Sequence, residues 1–182
     1  MKIAELVSYF ADGRMNLIPP FQRGRVWKLK LRQKLLENMV KGKPIPAIFL
    51  YLTAEGSSFT YNILDGKQRL ESLLLFVGDF RDDMKVPNWR HYFFKGHADA
   101  KFKINVAEPG ERAKRVQFSE LDDEMVRDFR EYTIPTVEIM LTEDAGLKEV
   151  IDLFIDINQY GMRVQRFDIV RTMYENNRLL SD

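Results

Sequence analysis

The stretch from Phe59 to Val77 constrains the fold of this chain more than any other. Phe59-Thr60-Tyr61-Asn62-Ile63-Leu64 is a short β-prone run, and Asp65-Gly66-Lys67-Gln68-Arg69 follows it directly. Leu70, Leu73, Leu74 and Val77 then recur at i, i+3, i+4 and i+7, the spacing of one buried helix face. The backbone must therefore pass from strand to helix within the charged pentapeptide. A helix N-terminus carries unpaired N–H groups and partial positive charge, so anions settle there. Lys67 and Arg69 in that first turn work against the helix dipole. A sequence that accepts this cost is expected to hold an anion.

The other elements follow from periodicity and turn chemistry. Met1 to Phe10 reads as an amphipathic helix start. Ile18-Pro19-Pro20 is extended, because a residue before proline is pushed out of the α region. A helix is expected from about Lys28 to Lys41, with Leu31, Leu35, Leu36, Met39 and Val40 inward, stopping at Gly42. Residues 45–52 read as an apolar strand with Pro46 among its first residues. Residues 81–118 are the least readable, although Lys101 to Val106 alternates like a strand. Ser119 and Asp122 resemble a capping box opening a helix with Leu121, Met125, Val126 and Phe129. Tyr132 to Met140 is strand-like. Thr142 caps a further helix ending at Gly161, and a last helix covers 166–177. The elements interleave without a strict βαβ rhythm, which predicts an α+β fold: a small mixed β-sheet with helices packed around it, in a single domain over residues 1–182.

Bulk composition narrows the function classes. With 182 residues, 45% apolar and 30% charged, the chain can bury a sizeable core. It has no cysteine, so disulfides and thiolate metal sites are excluded. The N-terminus is not a signal peptide, and no run reaches the roughly 18 apolar residues of a membrane span. A cytoplasmic location and no membrane partner are expected. The net charge of +1 hides an asymmetry: residues 1–80 carry 12 Lys and Arg against 7 Asp and Glu, and residues 81–182 carry 16 against 20. Arg25, Lys28, Lys30, Arg32 and Lys34 lie in the basic stretch 14–43, whose single acid is Glu37. Such a cluster suits phosphate, in a nucleotide or a nucleic acid, and equally suits a solvated helix face.

Common mechanisms fit poorly. A Walker loop needs Gly-x₄-Gly-Lys-Ser/Thr, but Gln68 follows Lys67 and Tyr61 stands at the first glycine position. His91 and His97 are the only histidines, so neither a zinc site nor a histidine-based nucleophile triad is supported. Asp65-Gly66-Lys67 is an Asp-x-Lys element of the kind used by metal-dependent nucleases, but Glu55 is a poor second carboxylate. A second basic segment, Phe21-Gln22-Arg23-Gly24-Arg25-Val26-Trp27, repeats the Gln-Arg pair of the pentapeptide. Guanidinium groups clasp phosphate bidentately, so Arg23 and Arg69 are expected over one anion. The structural alternative makes Asp65 a helix cap and pairs both arginines with carboxylates.

Four segments in this order, Ile18 to Trp27, Gly42 to Pro46, Leu64 to Leu70, and Leu153 to Gly161 with Asp168, closely resemble the GmrSD N-terminal family of "DGQQR" domains, in the ParB/sulfiredoxin-like superfamily. The resemblance implies a ParB/sulfiredoxin-like fold. It also implies nucleoside-triphosphate binding, and hydrolysis, in systems that restrict modified phage DNA. By position, Asp65, Gly66, Gln68 and Arg69 match the motif, Gln22 and Arg23 match the upstream pair, and Asn158, Gly161 and Asp168 match the late motif. Lys67 replaces the usual first glutamine, and Phe21 stands where tyrosine is common. Family members are often followed by an HNH-type nuclease domain; this chain shows no HNH signature, so a nuclease subunit or domain is expected to be supplied elsewhere.

The expected function is thus nucleotide binding, extending to slow triphosphate hydrolysis. Gln22, Arg23, Gly66, Lys67, Arg69 and Asn158 are the candidate nucleotide ligands. Asp65, Gln68 and Arg69 are the candidate catalytic residues, with Asp65 on Mg²⁺ or capping the helix and Gln68 orienting a water. The alternatives are a non-enzymatic DNA-binding or regulatory module, using Arg25, Lys28, Lys30, Arg32 and Lys34, or a metal-dependent nuclease.

Overall fold

The computed structural model describes residues 1–17, 27–52, 59–78, 89–93, 102–107, 112–140 and 147–159. Helix α1 (Ile3–Ala11) buries Ile3, Leu6, Val7 and Phe10, the i, i+3, i+4, i+7 face of the expected N-terminal helix. Strand β1 (Met15–Asn16) follows, then helix α2 (Leu29–Val40) and strand β2 (Ile48–Leu52). Strand β3 (Tyr61–Asp65) runs straight into helix α3 (Lys67–Val77), as residues 59–77 demand. The antiparallel ribbon of β4 (Ile104–Val106) and β5 (Lys114–Val116) precedes α4 (Asp123–Glu131), β6 (Thr136–Met140) and α5 (Leu147–Gln159). Thr142, Gly161, the 166–177 helix and residues 18–26 lie outside the described residues.

The main sheet has the order β1-β3-β2-β6. β1 lies parallel to β3, β3 antiparallel to β2, and β2 parallel to β6. The molecule is therefore α+β with a small mixed sheet. Between Phe49 and Leu50 the register with β3 slips, pairing Leu50 with Ile63 but Phe49 with Asp65. Such a bulge re-aims the strand end, here directly before the turn into α3.

One continuous core joins α1, α2, α3 and the sheet, including Ile48, Leu50, Ile63, Leu70, Leu73 and Leu74. Aromatic rings close its far side, with Phe76, Phe118 and Phe129 in mutual contact at 5.5–5.7 Å between centroids. Helix α5 lies against β3, where Ile151 and Ile155 are buried outside the main cluster. Met1 and Lys2 tie the N-terminus to the approach of β6: Ile3 N–H donates to the Tyr132 carbonyl at 3.1 Å, and Ile134 N–H to the Met1 carbonyl at 2.9 Å.

Three expectations need correction. Leu31, expected inward, is half exposed, and Arg32 takes the inward position beside Leu35 and Leu36. Three and four residues separate Arg32 from those leucines, so helix geometry places it on their face. Ser119 does not open α4; it lies in the 3₁₀ turn Phe118–Glu120, and Asp122 is the N-cap, accepting from Met125 N–H at 2.7 Å. Helix α3 is buried over nearly all its faces, Glu71 and Ser72 included, rather than on a single stripe.

Candidate functional site

Gly66 decides the geometry of the pentapeptide. It is the N-cap of α3 in the left-handed region, at φ +100°. A Cβ there would lie 2.6 Å from Ile48 Cγ2, so both the conformation and the lack of space select glycine. The Gly66 carbonyl accepts the N–H groups of Arg69 at 2.9 Å and Leu70 at 3.0 Å. Gly66 brings no side chain to cap the first turn, and no acid lies in that turn. Asp65 is therefore not a helix cap. Its Oδ2 accepts from Arg69 Nη2 at 2.6 Å, an ion pair that bends back over the glycine.

Arg69 closes the base of the turn. Its Nη2 also donates to the Ala47 carbonyl at 2.9 Å, linking the approach to β2 with the end of β3. Its Nε is buried without a hydrogen-bond partner among the described residues. Lys67 is half-buried at the first position of α3. Burial holds its ammonium below the usual lysine pKa, opposed by the nearby Glu71 carboxylate. An anion at this entrance would offset that desolvation.

Gln68 is engaged on its inner side. Its Oε1 accepts from Trp27 N–H at 3.0 Å and from Arg32 Nη2 at 2.9 Å. Arg32 is 1% exposed and Glu71 is fully buried; they pair at 3.2 Å. Arg32 Nη1 reaches Ser72 Oγ at 3.3 Å, and its Nε makes a longer contact with the Trp27 carbonyl at 3.4 Å. Ser72 Oγ in turn donates to the Gln68 carbonyl at 2.6 Å. The expected DNA-contacting role of Arg32 is overturned by this burial, because a guanidinium enclosed with Glu71 and Ser72 cannot reach a phosphate backbone. Sequence reasoning missed Glu71 and Ser72 as partners, since a charge between leucines reads as a surface residue. The available signal was the place of Arg32 on the Leu35–Leu36–Met39 face.

Asp65, Gly66, Lys67, Gln68 and Arg69 are thus brought together at one helix entrance. Gln22, Arg23 and Arg25 lie outside the described residues, as do Gly161 and Asp168. Asn158 falls in the last turn of α5, with its side chain outside the described residues. Lys28, Lys30 and Lys34 are exposed on or beside α2. Among the described residues, no three His, Asp or Glu side chains converge as a metal site. Asp65 alone suits Mg²⁺ only where phosphate oxygens complete the shell, a common arrangement for that ion. No described helix is long and apolar enough to cross a membrane.

A family model described as GmrSD restriction endonuclease, N-terminal domain, matches residues 3–175. Neither a curated protein nor a solved structure matches the chain.

Proposed function

The chain belongs to the family of GmrSD restriction endonuclease N-terminal domains, which is associated with restriction of modified DNA, and we propose that it binds a nucleoside triphosphate at the entrance to α3. The observation that carries this reading is a helix entrance whose N-cap is a glycine that admits no Cβ, with no acid in the first turn and Lys67 desolvated there. Backbone N–H groups and the helix dipole favour a phosphate there. Lys67 supplies the charge, and Arg69, pinned by Asp65 and Ala47, offers a fixed cation behind it. By motif order alone, Gln22, Arg23 and Asn158 are proposed as further ligands. For a slow hydrolysis, Asp65 would help to hold a Mg²⁺ that offsets charge on the phosphates. The reading treats residues 1–182 as one ParB/sulfiredoxin-like, cytoplasmic domain, with the nuclease in a separate domain or subunit.

A thermal-shift series with ATP, GTP, CTP and UTP, each with and without Mg²⁺, tests the proposal. A ligand at a hundred times its Kd adds about 2.7 kcal/mol to stability, a shift of several degrees. No shift with any triphosphate at millimolar concentration would end this reading.

A second reading, DNA-backbone binding, rests on the exposed Lys30, Lys34 and Lys41. Their spacings of four and seven residues set them in one row on the outer side of α2. It requires affinity that falls steeply with salt. A salt-independent gel shift, or none, removes it.

A further inference from the structure

We propose that Arg32 is a positioning residue that fixes the Gln68 amide so that Gln68 meets a guest as a hydrogen-bond donor. The orientation of a glutamine amide is usually inferred from its surroundings, and here they allow one answer. A backbone N–H and a guanidinium can only donate, so the atom between Trp27 N–H and Arg32 Nη2 must be the oxygen. Two donors fill the two lone pairs of that oxygen. Gln68 therefore has no acceptor to offer the proton of an attacking water, and its remaining group is the NH₂. An NH₂ at the first turn of a helix, next to Lys67, suits a phosphate oxygen. This inference rests on the nucleotide reading above, and it changes the expected part of Gln68 from orienting water to binding the ligand.

Arg32 performs the fixing because it is itself fixed. Glu71 and Ser72 hold its planar fork from the next turn of α3, at 3.2 and 3.3 Å. The Phe102 ring lies 5.8 Å from its guanidinium carbon. The same Gln68 oxygen tethers the backbone of Trp27, five residues after Gln22 in sequence. One buried cation thus sets the amide of Gln68 and the position at which the chain joins α2.

The test uses the full chain and the double variant Arg32→Met with Glu71→Leu, which removes the ion pair without leaving a buried charge alone. Replacing a buried pair by apolar residues of similar volume is commonly neutral or stabilising, so the melting temperature should hold. Hydrogen exchange at the Trp27 amide should accelerate at least tenfold, with β2 and β3 amides unchanged, and ATP affinity should fall at least tenfold. A folded double variant that keeps wild-type Trp27 protection, or loosens it while keeping wild-type ATP affinity, overturns the proposal. If the double variant does not fold, Arg32→Lys keeps a cation beside Glu71 but lacks the fork needed to reach Gln68 and Ser72 together. The same two readouts then apply. A wild-type chain that binds no triphosphate overturns the nucleotide reading instead, and the exchange arm, which uses no ligand, decides the Arg32 tether by itself.

Discussion

Helices α3 and α4 enter in opposite ways. At α4, the Asp122 carboxylate caps the first turn at 2.7 Å, and Asp123 and Glu124 add negative charge where the dipole favours it. That entrance satisfies itself. At α3, Gly66 brings no side chain, the first turn holds Lys67 and no acid, and the adjacent Asp65 carboxylate pairs with Arg69. The same backbone need is met by the N-cap side chain in one helix and not by the N-cap residue in the other. The second pattern costs stability in the empty protein, and the phosphate proposed above would offset that cost.

Substitutions can break this contrast, and the largest effect should come from beneath α3. Arg32→Met alone strands the Glu71 carboxylate in the core. It should cost about 3–5 kcal/mol in urea unfolding, the usual penalty for removing one member of a buried pair. Recovery of that loss by adding Glu71→Leu would show that the orphaned charge, rather than lost packing, is responsible. Gly66→Ala comes next, at roughly 3 kcal/mol, from left-handed strain and the contact with Ile48. It should also abolish triphosphate binding at temperatures where the protein remains folded. A thermal scan that barely moves would show that the turn relaxes to admit a Cβ.

Lys67→Met sharpens the contrast at about tenfold weaker triphosphate binding, near 1.4 kcal/mol, with the fold intact. In the wild-type protein the sign with pH follows from the lowered pKa of Lys67. Its ammonium stays charged below that value, so triphosphate affinity should decline as pH rises through it, before an ordinary lysine titrates. The same shift means that holding Lys67 charged costs the folded state stability at neutral pH. That cost is relieved as pH rises from the lowered pKa toward 10.5. Titration calorimetry between pH 7 and 10 checks the affinity. The smallest effect belongs to the closed entrance: Asp122→Ala should cost about 1 kcal/mol and leave ligand affinity unchanged.

What was legible in the chain follows the same division. Residues 59–77 declare a strand, a turn and a helix because a short β-prone run, with polar Thr60 and Asn62 alternating between Phe59, Tyr61 and Ile63, gives way after Gly66 to a 3.6-residue apolar period. Helix α2 was legible for similar reasons. Strands β1 and β5 were not, since two or three residues carry no period to read. Arg32 was assigned to the surface because charge usually marks solvent. Its partner Glu71 lies 39 residues away, and only the packing of α2 on α3 brings them together. The grouping of Asp65 to Arg69 was readable as contiguous sequence, whereas the bond from Gln68 to Trp27 spans 41 residues and could not be.

The pairing of Met1 and Ile3 with Tyr132 and Ile134 has a consequence for synthesis in the cell. At about 5–20 residues per second, the first residues wait roughly seven to twenty-seven seconds for their partners to be translated. The apolar face of α1 is uncovered during that interval, which invites chaperone capture or aggregation. The Met1 ammonium also donates to the Ile134 carbonyl at 3.2 Å. An affinity tag fused ahead of Met1 would replace that charged donor with a neutral amide.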